Sequence, residues 1–389
     1  MHTEINVLII GAGPAGIGCA AALQRCGIEN VLILDKSGVG ASFEAWPKQM
    51  KLLTPSFHSN PFGAVDLNAI TPNTSPADYL HTQHPTGAEY ARYLKAVSLY
   101  YELRFLHAEA RKIRRTGDGF TVETSQGILK PRFIIWAAGE FGHPDQRGII
   151  GADLCLHNSK VRDWSELKGK KFTVIGGYES GIDAAIQLAW LGREVDLLSR
   201  GEPWGETSSD PSRALSPRTR DRLKRCLCDA PGRLHFYKNA DIVDVSKVHG
   251  GYELTDVDGT PFLSPTQPIL ATGFRSSLEI ISQHFAWRGD HAILDEATDE
   301  STTTHGLFYS GPSLVHREAM FCFIYKFRSR FGIITRTIAE RMGKEWQEPL
   351  KLWRERGFMI EDLACCTDCK CAVDSEEEDN PEVTDYAHA

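Results

Sequence analysis

The stretch that decides the fold of this chain is Val7-Leu8-Ile9-Ile10-Gly11-Ala12-Gly13-Pro14-Ala15-Gly16. An apolar, strand-like run enters a G-x-G-x-x-G turn, and an alanine-rich helical stretch follows from Ala15 to Arg25. In such a unit the first glycine permits a tight turn, the second lets the backbone approach a pyrophosphate, and the third lets the helix pack on the strand. The helix N-terminus presents N–H groups and a partial positive charge to the phosphates. The pattern predicts a dinucleotide site at Gly11, Gly13, Pro14, Ala15 and Gly16.

The next strand-like run supports the same site. It reads Val31-Leu32-Ile33-Leu34-Asp35 and ends in an acid. A carboxylate at this position of the unit accepts hydrogen bonds from a ribose diol. We therefore assign Asp35, and Lys36 beside it, to the first site.

A second glycine turn lies near the middle of the chain, in Phe172-Thr173-Val174-Ile175-Gly176-Gly177-Tyr178-Glu179-Ser180-Gly181. Tyr178 stands where the middle glycine of the motif would be, so the close approach of a pyrophosphate must be met differently here. A helix is predicted to follow as far as about Leu191. We assign Gly176, Gly177, Glu179 and Ser180 to a second dinucleotide site.

The strand after this second turn, Glu194 to Leu198, ends in Ser199-Arg200 with no acid. A carboxylate there would bind the 2′-hydroxyl of NAD, whereas an arginine pairs with the 2′-phosphate of NADP. Arg200 therefore predicts NADPH rather than NADH. The alternative is that Arg200 is only a solvated loop charge.

Two dinucleotide sites in one chain indicate hydride transfer between a nicotinamide and a flavin, so we predict FAD at the first site and NADPH at the second. The expected fold is α/β, with two Rossmann-like domains of the three-layer ββα/αβα type. Residues 1–145 would begin the FAD domain, 165–272 would form an inserted NADPH domain, and 275–345 would return to the FAD domain. Residues 346–389 would form a C-terminal helix and a cysteine-rich acidic tail.

Turns of small residues follow three further apolar runs. They are Ala138-Gly139, Thr272-Gly273 and Gly311-Pro312, and small residues there fit backbone passing close to a bound cofactor. A helix is expected from about His316 to Met342. Its arginines (Arg317, Arg328, Arg330, Arg336 and Arg341) favour a solvated helix face over a substrate clamp.

Composition limits the class of protein. The chain has 389 residues, 42% of them hydrophobic and 24% charged, and a net charge of −8, which argues against general nucleic-acid binding. No apolar stretch approaches the roughly 20 residues needed to span a bilayer. The first strand begins almost at the N-terminus, and the ten cysteines are typical of reduced thiols. We expect a cytoplasmic enzyme that acts on a small molecule, with no nucleic-acid or membrane partner, and we leave a homodimer open.

Four of the cysteines lie in the tail, within Cys365-Cys366-Thr367-Asp368-Cys369-Lys370-Cys371. Three interpretations stay open. Cys365, Cys366, Cys369 and Cys371 would bind zinc or another thiophilic metal ion, since Cys366-x-x-Cys369 has zinc-ligand spacing. Alternatively, Cys366 and Cys369 would form a redox pair, because the adjacent Cys365-Cys366 would make a strained disulfide. The third interpretation is a tail with no role.

Over about residues 1–340 the chain resembles the two-dinucleotide-binding-domain flavoproteins. Within that group it is most similar to the short, bacterial-type flavin-containing monooxygenases and to the bacillithiol disulfide reductases. Ala138-Gly139 and Thr272-Gly273 resemble the A-T-G linkers of these enzymes, and the first lacks the threonine. The segment from Gly40 to Pro55 resembles the stretch that packs beside the flavin, which implies that Trp46 shapes the flavin pocket. Residues from His157 to Trp164 resemble the histidine-centred linker of flavin monooxygenases, without its preceding phenylalanine and glycine.

The resemblance implies one of two chemistries. Bacillithiol disulfide reductases carry a cysteine inside the first glycine motif, at the position where this chain has Ala15, and neither nucleotide domain contains a Cys-x-x-Cys pair. Cys19, one helical turn further on, is predicted to be a core residue. We therefore favour NADPH-dependent monooxygenation of a small molecule. The alternatives are reduction of a disulfide or metal through the C-terminal cysteines, and a sensor that binds FAD and NADPH without turnover.

Overall fold

The computed structural model describes residues 5–58, 63–206, 208, 210, 212–317 and 319–363. The helices in these ranges are α1 Pro14–Arg25, α2 Ala41–Glu44, α3 Pro76–Leu80, α4 Gly87–Tyr100, α5 Glu179–Trp190, α6 Pro217–Asp229, α7 Ile324–Phe327, α8 Phe331–Arg341 and α9 Lys351–Glu355. The first strands are β1 Ile5–Ile10, β2 Val31–Asp35, β3 Phe105–His107, β4 Ala110–Thr116, β5 Gly119–Thr124, β6 Gly127–Leu129, β7 Pro131–Trp136, β8 Leu156–His157, β9 Lys171–Ile175 and β10 Glu194–Leu198. The remaining strands are β11 Leu234–Tyr237, β12 Ile242–Val248, β13 Gly251–Asp256, β14 Pro261–Ser264, β15 Ile269–Leu270, β16 Ala286–Arg288, β17 His291–Ile293, β18 Leu307–Tyr309, β19 Val315–His316 and β20 Ala319–Met320.

The first parallel sheet has the strand order β18-β7-β1-β2-β3. Val7 in β1 pairs with Val31 in β2 and with Phe133 in β7. The central strand is covered on both faces, which explains why it reads as a continuous apolar run rather than as alternating residues. Because β18 pairs with β7, the chain returns to the first sheet after the second sheet is complete.

The first sheet shares its core with an antiparallel sheet, β4-β5-β6, and with helices α1 and α8. Ile113 and Phe120 of the antiparallel sheet belong to the same buried cluster as Leu8. Helices α1 and α8 lie so close that a Cβ on Gly18 would be 2.1 Å from the Phe331 ring. The return segment is therefore packed against the first glycine-motif helix.

The second parallel sheet has the order β11-β10-β9-β15-β8 and its own buried cluster, which includes Val174, Ile182 and Val195. Its outer strand β8 precedes residue 165, so the sheet takes in residues on both sides of that expected boundary. The strands β12-β13-β14 form a separate antiparallel sheet, which lies between β11 and β15 along the chain. The prediction of an α/β fold with Rossmann-like parallel sheets is confirmed.

Residues 40–58 and 63–90, which are rich in polar side chains, form packed structure. Buried Asp66 accepts hydrogen bonds from the Asn68 N–H at 2.9 Å, the Ser75 hydroxyl at 2.8 Å and the Ala77 N–H at 3.0 Å. Helix α4 begins with a capping box in which the Thr86 and Glu89 side chains each bind the other's backbone N–H. The polar residues of this segment thus satisfy its turns and helix ends.

The predicted helix from His316 to Met342 is wrong in its first part. Strands β19 and β20 form a short hairpin there, and the first helical residue is Ile324. Buried His316 forms a 2.6 Å hydrogen bond between its Nε2 and the Oδ1 of Asp299, which is also buried. This contact with a distant residue overrides local helix propensity and holds His316 in the hairpin.

The arginines of this segment are not one solvated face, and that expectation is corrected for Arg328 and Arg330. Both are buried, with 6% and 1% of their surface exposed. Arg330 donates from Nε to Asp299 Oδ2 at 3.0 Å and from Nη1 to the Ile360 carbonyl at 2.6 Å. Arg328 binds backbone carbonyls, and burial lowers its pKa to about 10. The other three pair with carboxylates: Arg317 with Glu296, Arg336 with Glu361 and Arg341 with Glu300.

The C-terminal helix is shorter than predicted, because regular helix is confined to α9 and Trp346 lies before it, outside any helix. The following chain packs into the core, where Phe358 and Leu363 are buried and the Ile360 N–H binds the Ser329 carbonyl at 2.9 Å. Cys365, Cys366, Cys369 and Cys371 lie outside the described residues. Within those residues, no group of His, Cys, Asp and Glu side chains could hold a metal ion. None of the helices described is long and apolar enough to cross a membrane.

Candidate functional site

The first glycine turn connects β1 to α1. Gly11 has φ +118°, and a Cβ there would lie 2.1 Å from the Ala137 carbonyl oxygen. A Cβ on Gly16 would lie 1.9 Å from the Gly11 carbonyl oxygen, so both positions exclude a side chain. Gly13, the N-cap of α1, is different, because its added Cβ would meet no atom within 4 Å. An open space therefore lies beside Gly13 at the start of the helix.

Helix α1 starts in a way that suits an anion. Pro14 occupies its first turn, and no side chain among the described residues caps it. Proline is suited to this position because its missing N–H would have no intrahelical partner. The N–H of Ala15, in the first turn of α1, has no intrahelical partner either, so it is available to a ligand.

Asp35 ties the end of β2 to this turn. Its carboxylate accepts hydrogen bonds from the N–H groups of Ala12 at 2.8 Å, Ser37 at 2.7 Å and Gly38 at 2.8 Å. A carboxylate has about four lone-pair positions, so capacity remains for a ribose hydroxyl. Lys36 is exposed and lies 3.7 Å from Glu109.

Two further turns meet the first glycine turn at the carboxyl edge of the first sheet. A Cβ on Gly11 would be 2.9 Å from the Ala138 Cα, and Gly139 has φ +67°. Beyond β18, the Ser310 N–H binds the Trp136 carbonyl at 3.1 Å, and Gly311-Pro312 follow. The structure thus brings Ala138, Gly139 and Gly311 to the same edge as Gly11.

Glu140 is a residue that the sequence analysis missed. It follows Gly139 directly, and the Ser313 hydroxyl donates to its Oε2 at 3.5 Å. Burial raises the pKa of Glu140 from the usual 4.5 to about 7, which the Ser313 hydrogen bond partly opposes. A carboxylate immediately after a buried strand and a small-residue turn was the available signal. Carboxyls with such pKa values are poised to exchange protons near neutral pH.

The second glycine turn repeats the geometry of the first. Gly176 has φ +113°, and a Cβ on it would lie 2.3 Å from the Ala271 carbonyl oxygen. A Cβ on Gly181 would lie 1.7 Å from the Gly176 carbonyl oxygen. Gly177 is also closed, since its added Cβ would be 2.5 Å from Ser199 Oγ and 2.9 Å from the Trp204 ring. These glycines allow close packing between the turn, the next strand end and β15.

Tyr178 places a side chain at the position where the first turn has Gly13 and an open space. Its hydroxyl oxygen is buried and has no hydrogen-bond partner among the described residues. Burial, together with the nearby Glu179 carboxylate, raises the pKa of Tyr178 to about 12. The phenol therefore stays protonated and keeps a hydrogen-bond donor available.

Glu179 has a structural partner. Its carboxylate accepts hydrogen bonds from the Thr219 hydroxyl at 2.5 Å and from the Ser216 N–H, both at the start of α6. Burial raises the pKa of Glu179. These contacts fasten α6 to the second glycine turn, while Ser180, next in the chain, lies partly exposed on the first turn of α5.

Thr272 and Gly273 bind the segment that connects the two sheets. The Thr272 hydroxyl donates to the Asp145 carbonyl, and the Asp145 N–H donates to the Gly273 carbonyl at 3.0 Å. His157 Nε2 approaches the same Gly273 carbonyl at 3.1 Å. The histidine of the linker-like stretch is therefore placed on the turn that follows β15.

Arg200 lies at the carboxyl end of β10 with an exposed side chain, next to buried Ser199. In a dinucleotide-binding unit of this kind, the residue after the second strand contacts the substituent at the 2′-position of the ribose. The binding of a 2′-phosphate by Arg200 stays a prediction.

Two sets of polar contacts join the elements around the first sheet to those around the second. Lys326 Nζ lies 2.6 Å from Asp210 Oδ1 and 2.7 Å from Ser212 Oγ. On another side, Asp163 accepts hydrogen bonds from Gln49 at 2.6 Å and from Lys48 at 3.1 Å. These contacts tie Lys48 and Gln49, and Lys326 of the return segment, to elements around the second sheet.

Trp46 packs mainly on neighbouring side chains. Its ring centroid lies 4.8 Å from that of Phe43, and the residue is partly buried against the main core. A Cβ on Gly87 would lie 2.9 Å from the Trp46 Cβ, so Trp46 helps to join α2 to α4. Its contact with a flavin stays a prediction.

The cysteines near the site are poor nucleophiles. Cys19 is fully buried, which raises its pKa to about 12, and it contacts Ser310 at 3.5 Å. Its predicted role in core packing is confirmed. Cys322 lies 3.1 Å from Ser212 Oγ, and burial raises its pKa as well. The described cysteines are unpaired thiols.

Comparison with known proteins agrees with this geometry. A family model described as pyridine nucleotide-disulphide oxidoreductase matches residues 8–311. Bacilliredoxin reductase Bdr from Bacillus subtilis (strain 168) is 26% identical over 207 residues, which are 51% of this chain and 58% of that protein. The match thus spans little more than half of that relative.

Solved structures resemble the fold over most of the chain. Bacillithiol disulfide reductase Bdr (YpdA) from Staphylococcus aureus has a TM-score of 0.72 at 20% identity, covering 87% of this chain and 99% of that chain. A flavin-containing monooxygenase from Stenotrophomonas maltophilia has a TM-score of 0.66 at 17% identity, with the same two coverages of 87% and 99%. At these identities the likeness shows the fold alone.

Proposed function

Because this chain belongs to the pyridine nucleotide-disulphide oxidoreductase family, whose members bind FAD and NAD(P)H, we propose that it is an NADPH-dependent FAD oxidoreductase that oxygenates a small molecule. The observation that carries the cofactor assignment is the pair of β-turn-α units with matching glycine geometry. The open space beside Gly13, at an uncapped helix start, fits the pyrophosphate of FAD.

Different residues would bind the two cofactors. Gly13 and the first turn of α1 would hold the FAD pyrophosphate, and Asp35 would hold its ribose. Gly176 and Arg200 would hold NADPH at the second turn. When bound, FAD would supply the two-electron chemistry that links NADPH to an electron acceptor. In monooxygenation the acceptor is oxygen, of which one atom enters the substrate while the other leaves as water.

Glu140 would donate and accept protons at this site. With a pKa of about 7 it is divided between its acid and its carboxylate near neutral pH. It lies between the Ala138-Gly139 turn and the Ser313 hydroxyl, close to two of the turns assigned to the cofactor. Proton delivery to oxygen as water forms is a task that suits such a group.

Monooxygenation is favoured over disulfide reduction by the thiols of the first unit. Ala15 occupies the position at which the resemblance implies a reductase cysteine. The next cysteine along the chain, Cys19, is held protonated by burial, and thiolate is the form that attacks disulfides. The first unit thus offers a flavin site without a reactive thiol.

A second candidate function is reduction of a disulfide or metal through Cys365, Cys366, Cys369 and Cys371. It is favoured by the match to a bacilliredoxin reductase and by the anchoring of the chain that precedes these cysteines in the sequence. Ile360 binds Ser329, and the Ser329 hydroxyl binds the Lys326 carbonyl at 2.6 Å, beside the contact with Asp210. The cysteines follow soon after this point in the sequence. A non-catalytic sensor is the third candidate.

The deciding experiment compares the full chain with a variant truncated after Leu363 and with a full-length variant in which the four tail cysteines are serine. We expect NADPH to bleach the flavin band within seconds in all three, which would exclude a non-catalytic sensor. We also expect oxygen uptake to survive in both variants. Rapid disulfide reduction by the full chain, lost in both variants, would instead establish the reductase.

A further inference from the structure

The segment that connects the two sheets, residues 143–150, is fixed at both ends to the second unit; we call it the strap. At its start, the Asp145 N–H binds the Gly273 carbonyl at 3.0 Å, and the Arg275 N–H binds the His143 carbonyl at 2.8 Å. At its end, the Ile150 N–H binds the Val243 carbonyl at 2.9 Å. The strap therefore runs from the turn after β15 to the start of β12.

Arg200 lies along the same edge. The Ser199 carbonyl, at the end of β10, accepts a hydrogen bond from the Ala240 N–H at 2.8 Å, and Ala240 lies just before β12. Because β10, β9 and β15 are adjacent parallel strands, their carboxyl ends share one edge of the sheet. The middle of the strap thus passes near the strand end from which Arg200 projects.

Arg147 occupies the middle of the strap, in a tight turn. The Ile149 N–H binds the Gln146 carbonyl at 3.0 Å, and the two central residues have φ of 53° at Arg147 and 66° at Gly148. This is the left-handed pattern of a type I′ turn, which favours Asn, Asp or Gly. A left-handed arginine is costly, and such positions are often functional.

The charge of Arg147 is close to that of Arg200. Partial desolvation lowers the pKa of Arg147, and the positive charge of Arg200 lowers it further, against the opposing carboxylates of Asp241 and Asp145. Within the described ranges, neither guanidinium forms an ion pair with a carboxylate. Two neighbouring guanidinium groups that form no direct ion pair can together bind a multiply charged oxyanion.

We propose that Arg147 is a second specificity-determining residue for NADPH, which binds the 2′-phosphate together with Arg200. The proposal rests on the proposed NADPH-dependent function. A phosphate monoester carries a charge of about −1.5 to −2 and three acceptor oxygens, enough for two guanidinium groups. Cofactor selection then depends on the strap that joins the two units as well as on the NADPH unit itself.

Binding of adenosine 2′,5′-bisphosphate to the flavin-loaded protein, measured by calorimetry against adenosine 5′-monophosphate, tests this without hydride transfer. Arg147→Asn removes the charge and suits the left-handed turn, so the variant should fold. We expect about tenfold weaker binding of the bisphosphate, about 1.4 kcal/mol, and unchanged binding of the monophosphate. Arg147→Lys should restore part of the loss, and Arg288→Ala, an exposed arginine on β16, should change nothing.

The outcomes separate this proposal from the one on which it rests. If Arg147→Asn binds both nucleotides like the unchanged protein while Arg200→Ala loses the bisphosphate, Arg147 has no part and NADPH specificity stands. If the unchanged protein does not prefer the bisphosphate, the NADPH assignment itself is overturned. Equal loss of both nucleotides in Arg147→Asn would show a distorted strap and would also overturn the role of Arg147.

Discussion

Tyr178 begins α5 with φ −95° and ψ −165°, almost the backbone conformation with which Gly13 begins α1, φ −91° and ψ −170°. Neither value requires glycine, so the two turns differ in the space beside the backbone rather than in its path. At Gly13 that space is open, and at Tyr178 it is filled by a phenol. The second glycine turn therefore carries a phenol at the position where the first has bare backbone.

This relationship predicts opposite effects of Tyr178→Phe on stability and on cofactor binding. The buried hydroxyl has no partner among the described residues, so its removal should leave the Tm unchanged or raise it. If the hydroxyl donates to NADP⁺, affinity should fall about three- to tenfold. Thermal denaturation and NADP⁺ titration of the same samples measure both. Unchanged affinity with a higher Tm would show that the hydroxyl has no role in binding.

Arg200→Ala should raise the KM for NADPH and leave the KM for NADH almost unchanged. A charge-assisted contact of about 1.5–3 kcal/mol corresponds to a tenfold to hundredfold effect. Steady-state kinetics with both cofactors measure it, and Arg288→Ala serves as the matched control. Equal losses with NADPH and NADH would contradict the assignment.

Gly13→Val should give a folded protein without flavin. Its Cβ would meet no atom within 4 Å, so the protein itself can accommodate the first added carbon, whereas the pyrophosphate needs that space. Gly177→Val should retain FAD and impair reduction by NADPH, because its Cβ would collide with Ser199 and Trp204 in the second unit. Flavin absorbance after purification and circular dichroism report the two results. A flavin-free Gly177→Val protein would reverse the assignment of FAD and NADPH to the two sites.

Glu140→Gln should remove a pH dependence of stability. The folded protein raises the pKa of Glu140 from 4.5 to about 7, so it binds this proton more tightly than the unfolded chain does. Stability from the protonated form is complete below about pH 4.5 and is lost as pH rises toward 7, by up to about 3 kcal/mol. Urea unfolding at pH 5 and pH 8 should show a smaller difference for the variant. The same loss in both proteins would show that Glu140 is not the titrating group.

Many of the strands and helices were predicted from local sequence patterns. The runs before Gly11 and Gly176 form β1 and β9, and the helices after them begin within a residue or two of the expected positions. The return strand near Tyr309 was also predicted, because an apolar run ending in glycine is a local signal. Local patterns did not predict the hairpin at His316, since that hairpin is held by Asp299, a residue from another part of the chain.

The sequence by itself determined the two β-turn-α units, because glycine spacing, apolar runs and helix starts act between neighbouring residues. Only the tertiary structure decided which charges are buried and which meet. In the sequence, Arg330 is one of several arginines in its segment. In the structure, its guanidinium is buried between Asp299 and Ile360. Glu140 acquires its raised pKa from desolvation, and Arg147 comes near Arg200 because the strap is bonded at both ends. Desolvation and Coulomb interactions depend on distance in space, which spacing along the chain does not specify.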